Sequence, residues 1–178
     1  DRLRSRGLGD VYKRQVLNKT KYIVLSYPSN PVGASAPKEM YVRMIEYAKK
    51  YNFAIINDNA YSDIIFDGRE GFSFLSLPGA KDVGVEFFSL SKSYNVTGLR
   101  ISFCIGNKSI IDAFKLLRSQ YDFGMSYPAQ KAAIAALRGP RDSVKAQCAE
   151  YQRRRDALLN GLRTVSYTHL TLPTNSRV

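Results

Sequence analysis

The chain has 178 residues and is 44% hydrophobic, enough for one sizeable core or for one domain plus part of a second. No apolar run reaches the length of a membrane span, and the opening DRLRSRGLGDVYKRQ lacks the apolar stretch of a secretory signal, so no membrane partner is expected and the cytoplasm is the default location. The net charge of +12 raises nucleic acid as a partner, but +3 of it falls in residues 1–15, +1 in residues 164–178, and the remaining +8 is scattered, which argues against a binding stripe.

Residues 1–15 and 164–178 share no periodicity with what they flank and resemble translated sequencing-adaptor sequence. They are read as non-native tails, leaving residues 16–163 as the native part. The single histidine, His169, falls in the second tail, so the native part offers no imidazole for acid-base work. The run 21–26 (KYIVLS) is a short apolar strand that stops at the turn formers Pro28, Ser29, Asn30 and Pro31. Ser35 is placed to cap the next helix, Pro37 suits its first turn, and Met40, Ile45 and Ala48 share a face up to Tyr51. A second strand, 53–57 (FAIIN), delivers Asp58 at its end.

Residues 67–84 read as loop with little regular structure. A third apolar run, 85–90, ends at Ser91 and Lys92, and a fourth, 100–106 (RISFCIG), follows a turn that Gly98 is suited to make. Helical spacing returns at Ile110, Ile111, Phe114, Leu117 and Tyr121 behind a capping Asn107. A further helix spans 130–137 and stops at Gly139-Pro140, and a long amphipathic helix runs from 142 to 162. Within it, Arg153, Arg154 and Arg155 read as a solvated face. Cys104 and Cys148 stand far apart, read as packing residues, and suggest neither a disulfide nor a metal site. Alternating strands and helices predict an α/β fold, a mainly parallel sheet flanked by helices.

In open α/β sheets, ligands bind beyond the carboxyl ends of the strands. Asn30, Asp58 and Lys92 each follow an apolar strand run, although singly an Asn-Pro turn, a capping Asp or a Ser-Lys pair is commonplace. In order, YPSNPVG (27–33), NDNAYSDIIFDG (57–68) and FFSLSKSYNVTGLRIS (87–102) closely resemble the three central motifs of the class I/II pyridoxal-phosphate-dependent aminotransferases, the aspartate-aminotransferase fold type I. The Asp-x-x-Tyr pair precedes Ser-x-Ser-Lys by about thirty residues, and an Arg follows the Lys at plus eight.

That resemblance implies a role for each matched residue. Lys92 would form the imine with the aldehyde of pyridoxal 5'-phosphate and then serve as the base that moves the substrate proton. Asp58 would keep the pyridine nitrogen protonated, Tyr61 would donate to the ring oxygen, and Asn30 would hold the same oxygen or its surroundings. Arg100 would grip the phosphate with two charge-assisted bonds, joined by the hydroxyls of Ser89 and Ser91. The resemblance further implies amino-acid and 2-oxo-acid substrates and a homodimer, with the segment 121–130 approaching the partner's site. Relatives carry an upstream phosphate loop with a stacking aromatic and a downstream substrate-binding arginine. None lies in 16–163, so a partial large domain and a poor catalyst are expected. A carbon-sulfur β-lyase running on the same cofactor remains an alternative. So does a non-catalytic ligand-binding or regulatory module, although no short-turn helix pair with a basic second helix is present.

Overall fold

The computed structural model describes residues 14–164. Of the two tails set apart by sequence, only Arg14 and Gln15, which begin the first helix, and Thr164, which ends the last, belong to it; the rest, His169 included, lies outside the described residues. The elements are α1 (Arg14–Lys19), β1 (Tyr22–Ser26), α2 (Lys38–Tyr51), β2 (Ala54–Asp58), α3 (Ala80–Val83), β3 (Gly84–Ser89), α4 (Leu90–Ser93), β4 (Ser102–Gly106), α5 (Lys108–Ser119), α6 (Tyr127–Arg138) and α7 (Asp142–Thr164), with 3-10 turns at Phe74–Ser76 and Thr97–Leu99. No helix among the described residues is long and apolar enough to cross a membrane, and none of their His, Cys, Asp and Glu side chains group to hold a metal.

The four strands lie in the order β1-β2-β3-β4. The first three are parallel and β4 runs against β3, so the sheet is the mainly parallel one expected, with an antiparallel edge. That reversal has a consequence for function. The carboxyl ends of β1, β2 and β3 share one edge, and the antiparallel partner brings its amino end to the same place, pairing Ser89 with Ser102. Arg100, two residues ahead of β4, therefore arrives beside Asp58 and Ser89 although it precedes a strand and they end one.

One sheet face is covered. Along α2, Tyr41, Met44, Ile45 and Ala48 recur at helical spacing and are buried, and they meet Leu25, Phe53, Ile55 and Phe74. Fully burying a side chain such as Ile55 or Phe74 contributes about 1.5–3 kcal/mol, so this layer dominates the stability of the piece. A smaller cluster of Leu90, Ile101 and Ala133 seats α6 beside the β3–β4 end of the sheet. On the opposite face Val24 remains 60% exposed.

Where β3 and β4 begin and end, the backbones nearly touch. Gly106 has φ +142°, and a Cβ there would lie 2.4 Å from the Gly84 carbonyl oxygen, which leaves room for no side chain.

Three local expectations change. Ser35 makes no cap: Pro37 occupies that position in extended backbone with no side-chain bond, because the helix starts at Lys38. Residues 67–84 hold a 3-10 turn and the short α3, anchored by buried Phe74 and Ala80, with Phe72, Leu75, Leu77 and Val83 also packing against the core. The left-handed turn before β4 falls on Arg100 itself, φ +49°, with Gly98 inside the preceding 3-10 turn.

Candidate active site

β2 ends at Asp58, and the chain turns at once because Asp58 Oδ1 accepts from the Ala60 amide at 3.2 Å. β3 ends at Ser89, whose Oγ accepts from the Ser91 amide at 3.2 Å and starts the single turn α4 that carries Lys92. Leu90, Ser91 and Ser93 are buried around Lys92, which fixes the turn while leaving the lysine half-buried. Arg100 Nη1 donates to the Thr97 carbonyl at 3.0 Å, closing the loop that returns to the sheet edge.

These residues fall into two adjoining groups. Asp58, Ser89, Ser91 and Arg100 line one open cavity of about 430 Å³, walled on its apolar side by Val24, Ile56, Phe87, Phe88 and Ile101. Val24, Ile56 and Asp58 share the uncovered sheet face, so the cavity is built by strand alternation. The second group is Asn30, Tyr61 and Lys92. Asn30 Nδ2 donates to the Tyr61 hydroxyl oxygen at 3.1 Å, and Lys92 Nζ stands 5.7 Å from the Tyr61 ring centre. The Asp58–Ala60 turn joins the two groups. All seven residues singled out by sequence thus lie at one edge of the sheet, but Asn30, Tyr61 and Lys92 do not line this cavity, and Tyr61 lines another one with Pro28, Ser29 and Arg155.

Because the Asn30 amide occupies the Tyr61 oxygen as donor, the phenol proton stays free to be donated elsewhere. Arg100 with Ser89 and Ser91 and the Asp58 carboxylate at the cavity, together with the Lys92 amine near the Tyr61 ring, are the kinds of group that pyridoxal phosphate would require for its dianionic phosphate, basic ring nitrogen and aldehyde.

Sequence reading missed the residues that α7 supplies. Arg153 and Arg154 pair with Glu150 on the solvent side as expected. Arg155 does not: it makes a bidentate bond to Asp67 at 2.6 and 2.9 Å and lies 5.1 Å from the Phe66 ring centre. Its hydrogen bonds hold the Asp67 carboxyl below its ordinary value. A carboxyl depressed by folding stabilises the fold above its unfolded pKa, and that contribution is lost as pH falls through the folded value. The protection factors of amides across residues 63–68, corrected for the intrinsic pH dependence of exchange, are therefore expected to be higher at neutral pH and to fall on acidification below the usual carboxylate range. Since the pair is exposed, added salt should weaken the effect. Protection factors independent of pH would refute it.

Cys104 and Cys148 are free and half-buried. Burial raises the Cys104 pKa, and the Cys148 thiol donates to the Ile65 carbonyl at 3.0 Å, so both belong to the packing as expected.

Known proteins share this fold. The family model for aminotransferase class I and II matches residues 5–176. An LL-diaminopimelate aminotransferase of Dehalococcoides mccartyi is 47% identical over 152 residues, covering 85% of this chain and 39% of the relative. The glutamate-pyruvate aminotransferase AlaC of Escherichia coli is 43% identical over 149 residues, covering 84% and 36%. A solved aminotransferase from Staphylococcus aureus superposes with a TM-score of 0.81 at 37% identity, over 86% of this chain and 41% of that one. The chain spans about two fifths of the length of the curated relatives it matches. With the family model matching residues 5–176 and a relative 47% identical over most of the chain, the chain belongs to the class I and II aminotransferases.

Proposed function

We propose that this chain is the cofactor-holding part of a pyridoxal-phosphate-dependent aminotransferase that moves an amino group between an amino acid and a 2-oxo acid. The observation that supports it most is the convergence of Asp58, Ser89, Ser91 and Arg100 on one cavity, with Lys92, Tyr61 and Asn30 beside it. When bound, pyridoxal phosphate supplies an electron-poor ring that takes up the electron pair left as the substrate α-proton departs. Asp58 would keep the ring nitrogen protonated, and Tyr61, whose hydroxyl proton is free, would donate toward the ring oxygen. Lys92 would hold the cofactor through its amine and serve as the base for the substrate proton. Arg100, with the Ser89 and Ser91 hydroxyls, balances the phosphate charge.

The names of the relatives make diaminopimelate and glutamate the first amino donors to assay. A cytoplasmic homodimer belongs to the same reading. Its support is that Tyr121, Phe123 and Tyr127, in the segment the resemblance assigns to the partner's site, are all exposed.

The test is cofactor binding by absorbance titration. Arg100→Ala is expected to weaken binding about 10- to 100-fold, the worth of hydrogen bonds to a charged group. Arg100→Lys should recover only part, since an ammonium lacks the planar fork. Unchanged affinity in Arg100→Ala would remove Arg100 from the phosphate site. The chain alone should turn over poorly, and robust amino transfer by it would contradict a partial site.

A further inference from the structure

The Lys92 turn and the Tyr61 loop are both irregular pieces of backbone, and both are tied to one helix far along the chain. α4 is a single turn, so its last carbonyls have no partners within the helix. The carbonyl of Lys92 finds one in Gln147, whose Nε2 donates to it at 2.7 Å across 55 residues of sequence. Next to Gln147, Cys148 reaches the Ile65 carbonyl; one turn on, Gln152 Oε1 accepts from the Asp67 amide at 3.1 Å; and Arg155 clamps the Asp67 carboxylate. Just ahead of the helix, Arg141 pairs with Asp63.

Positions 141, 148, 152 and 155 recur at spacings of seven, four and three, one face of a helix. That face follows the loop from Asp63 to Asp67, and Gln147 stands one step round it, toward Lys92. Three of the groups held are main-chain atoms: the Lys92 and Ile65 carbonyls and the Asp67 amide. The loop from 59 to 68 belongs to no strand or helix, so these bonds do the work that a sheet ladder does elsewhere.

We propose that α7 is a strap that sets the Lys92 turn against the Tyr61 loop, with Gln147 as the positioning residue for Lys92. Gln147 touches only the lysine's main chain, and it acts by fixing where α4 sits, hence where Nζ stands relative to the Tyr61 ring. The importance of this for catalysis rests on the proposed function; the strap itself does not.

The experiment uses the whole chain and two readouts. Hydrogen exchange is followed by mass spectrometry in peptides covering 61–68, 90–99 and, as a reference, α2. In parallel, lysines are labelled with pyridoxal phosphate and fixed with borohydride. Gln147→Glu keeps the shape but presents an acceptor to a carbonyl. It is expected to quicken exchange in both 61–68 and 90–99 by about tenfold, leave α2 unchanged, and lower the share of label on Lys92. Gln147→Lys restores a donor on a straight chain and should recover protection and labelling. Arg155→Ala should quicken 61–68 more than 90–99.

Wild-type exchange in 90–99 of Gln147→Glu would overturn the proposal, as would faster exchange everywhere including α2, which marks general destabilisation. If the exchange pattern appears but wild-type Lys92 takes label no faster than the exposed Lys49 and Lys108, the strap stands and the cofactor reading fails.

Discussion

Replacing Lys92 by alanine is expected to abolish borohydride-fixed attachment of pyridoxal phosphate at this position and to leave the fold nearly unchanged. The two effects separate because the lysine contributes little to packing. Its side chain approaches the Tyr61 ring, a contact worth about 0.5–1 kcal/mol at such a site. Attachment, by contrast, has no substitute, since alanine carries no nucleophile. On the proposed function, the same change in the intact enzyme would also remove the base for the substrate proton, and general acid-base groups of this kind contribute about 10²- to 10⁴-fold in rate.

Lys92→Arg makes the comparison sharper. Arginine preserves the positive charge and most of the length, but its pKa above about 12 keeps the guanidinium from acting as an amine nucleophile or a base. It should therefore match alanine in labelling and in rate while retaining the contact to Tyr61. Labelling is read by intact mass and peptide mapping, and folding by far-ultraviolet circular dichroism. Persistent stoichiometric label in Lys92→Ala, carried by another lysine of the same site, would assign the attachment elsewhere.

The strand ends were legible in the sequence because apolar runs there stop abruptly at Asn30, Asp58 and Lys92, and a buried strand reports its end by that change. Asn107 announced α5 equally well, and its side chain does accept from the Ile110 amide at 3.2 Å. What stayed hidden depends on contacts between distant residues. No local pattern shows that β4 runs antiparallel, although that reversal is what brings Arg100 to the site. Gln147 lies in a polar helix with nothing to mark it from its neighbours, because its meaning comes from a carbonyl 55 residues earlier. Arg155 looks like Arg153 and Arg154 in sequence, and differs only because its position on the helix turns it toward Asp67. Phe74 anchors a stretch whose Gly and Ser content reads as loop.

Glu86 is a residue whose loss should cost the fold heavily, and the sequence did carry a sign of it: one carboxylate inside the otherwise apolar run of β3. It is fully buried, directly opposite Asn57 in the β2–β3 register. Its two oxygens accept from Asn57 Nδ2 at 2.8 Å, Ser73 Oγ at 2.7 Å and the Phe74 amide at 2.7 Å. Tyr41 completes the network by donating to Asn57 Oδ1 at 3.0 Å, and burial together with the Glu86 charge pushes its phenol pKa well up, so it remains a donor.

Glu86→Ala leaves three donors, two of them buried, without an acceptor, and breaking a buried charged network in this way costs about 3–5 kcal/mol. Against a usual total of about 5–15 kcal/mol, that is enough to unfold a marginal domain. Glu86→Gln retains an acceptor for Asn57 and Phe74, while the Ser73 hydroxyl can rotate to accept from the new amide, so it should cost only about 1 kcal/mol. Urea unfolding followed by circular dichroism measures both. A loss below about 1 kcal/mol in Glu86→Ala would show that the donors find water instead.

The network matters to the site because a one-residue slip between β2 and β3 would turn every side chain of β2 to the other face, Asp58 among them. Asn57 and Glu86 pair only in the native register, so the buried bonds specify which face of the sheet receives the carboxylate. Cofactor affinity in Glu86→Gln is accordingly expected to stay near wild type wherever the variant is folded. Affinity lost from a folded Glu86→Gln chain would mean that the charge itself, rather than the register it fixes, acts on the site.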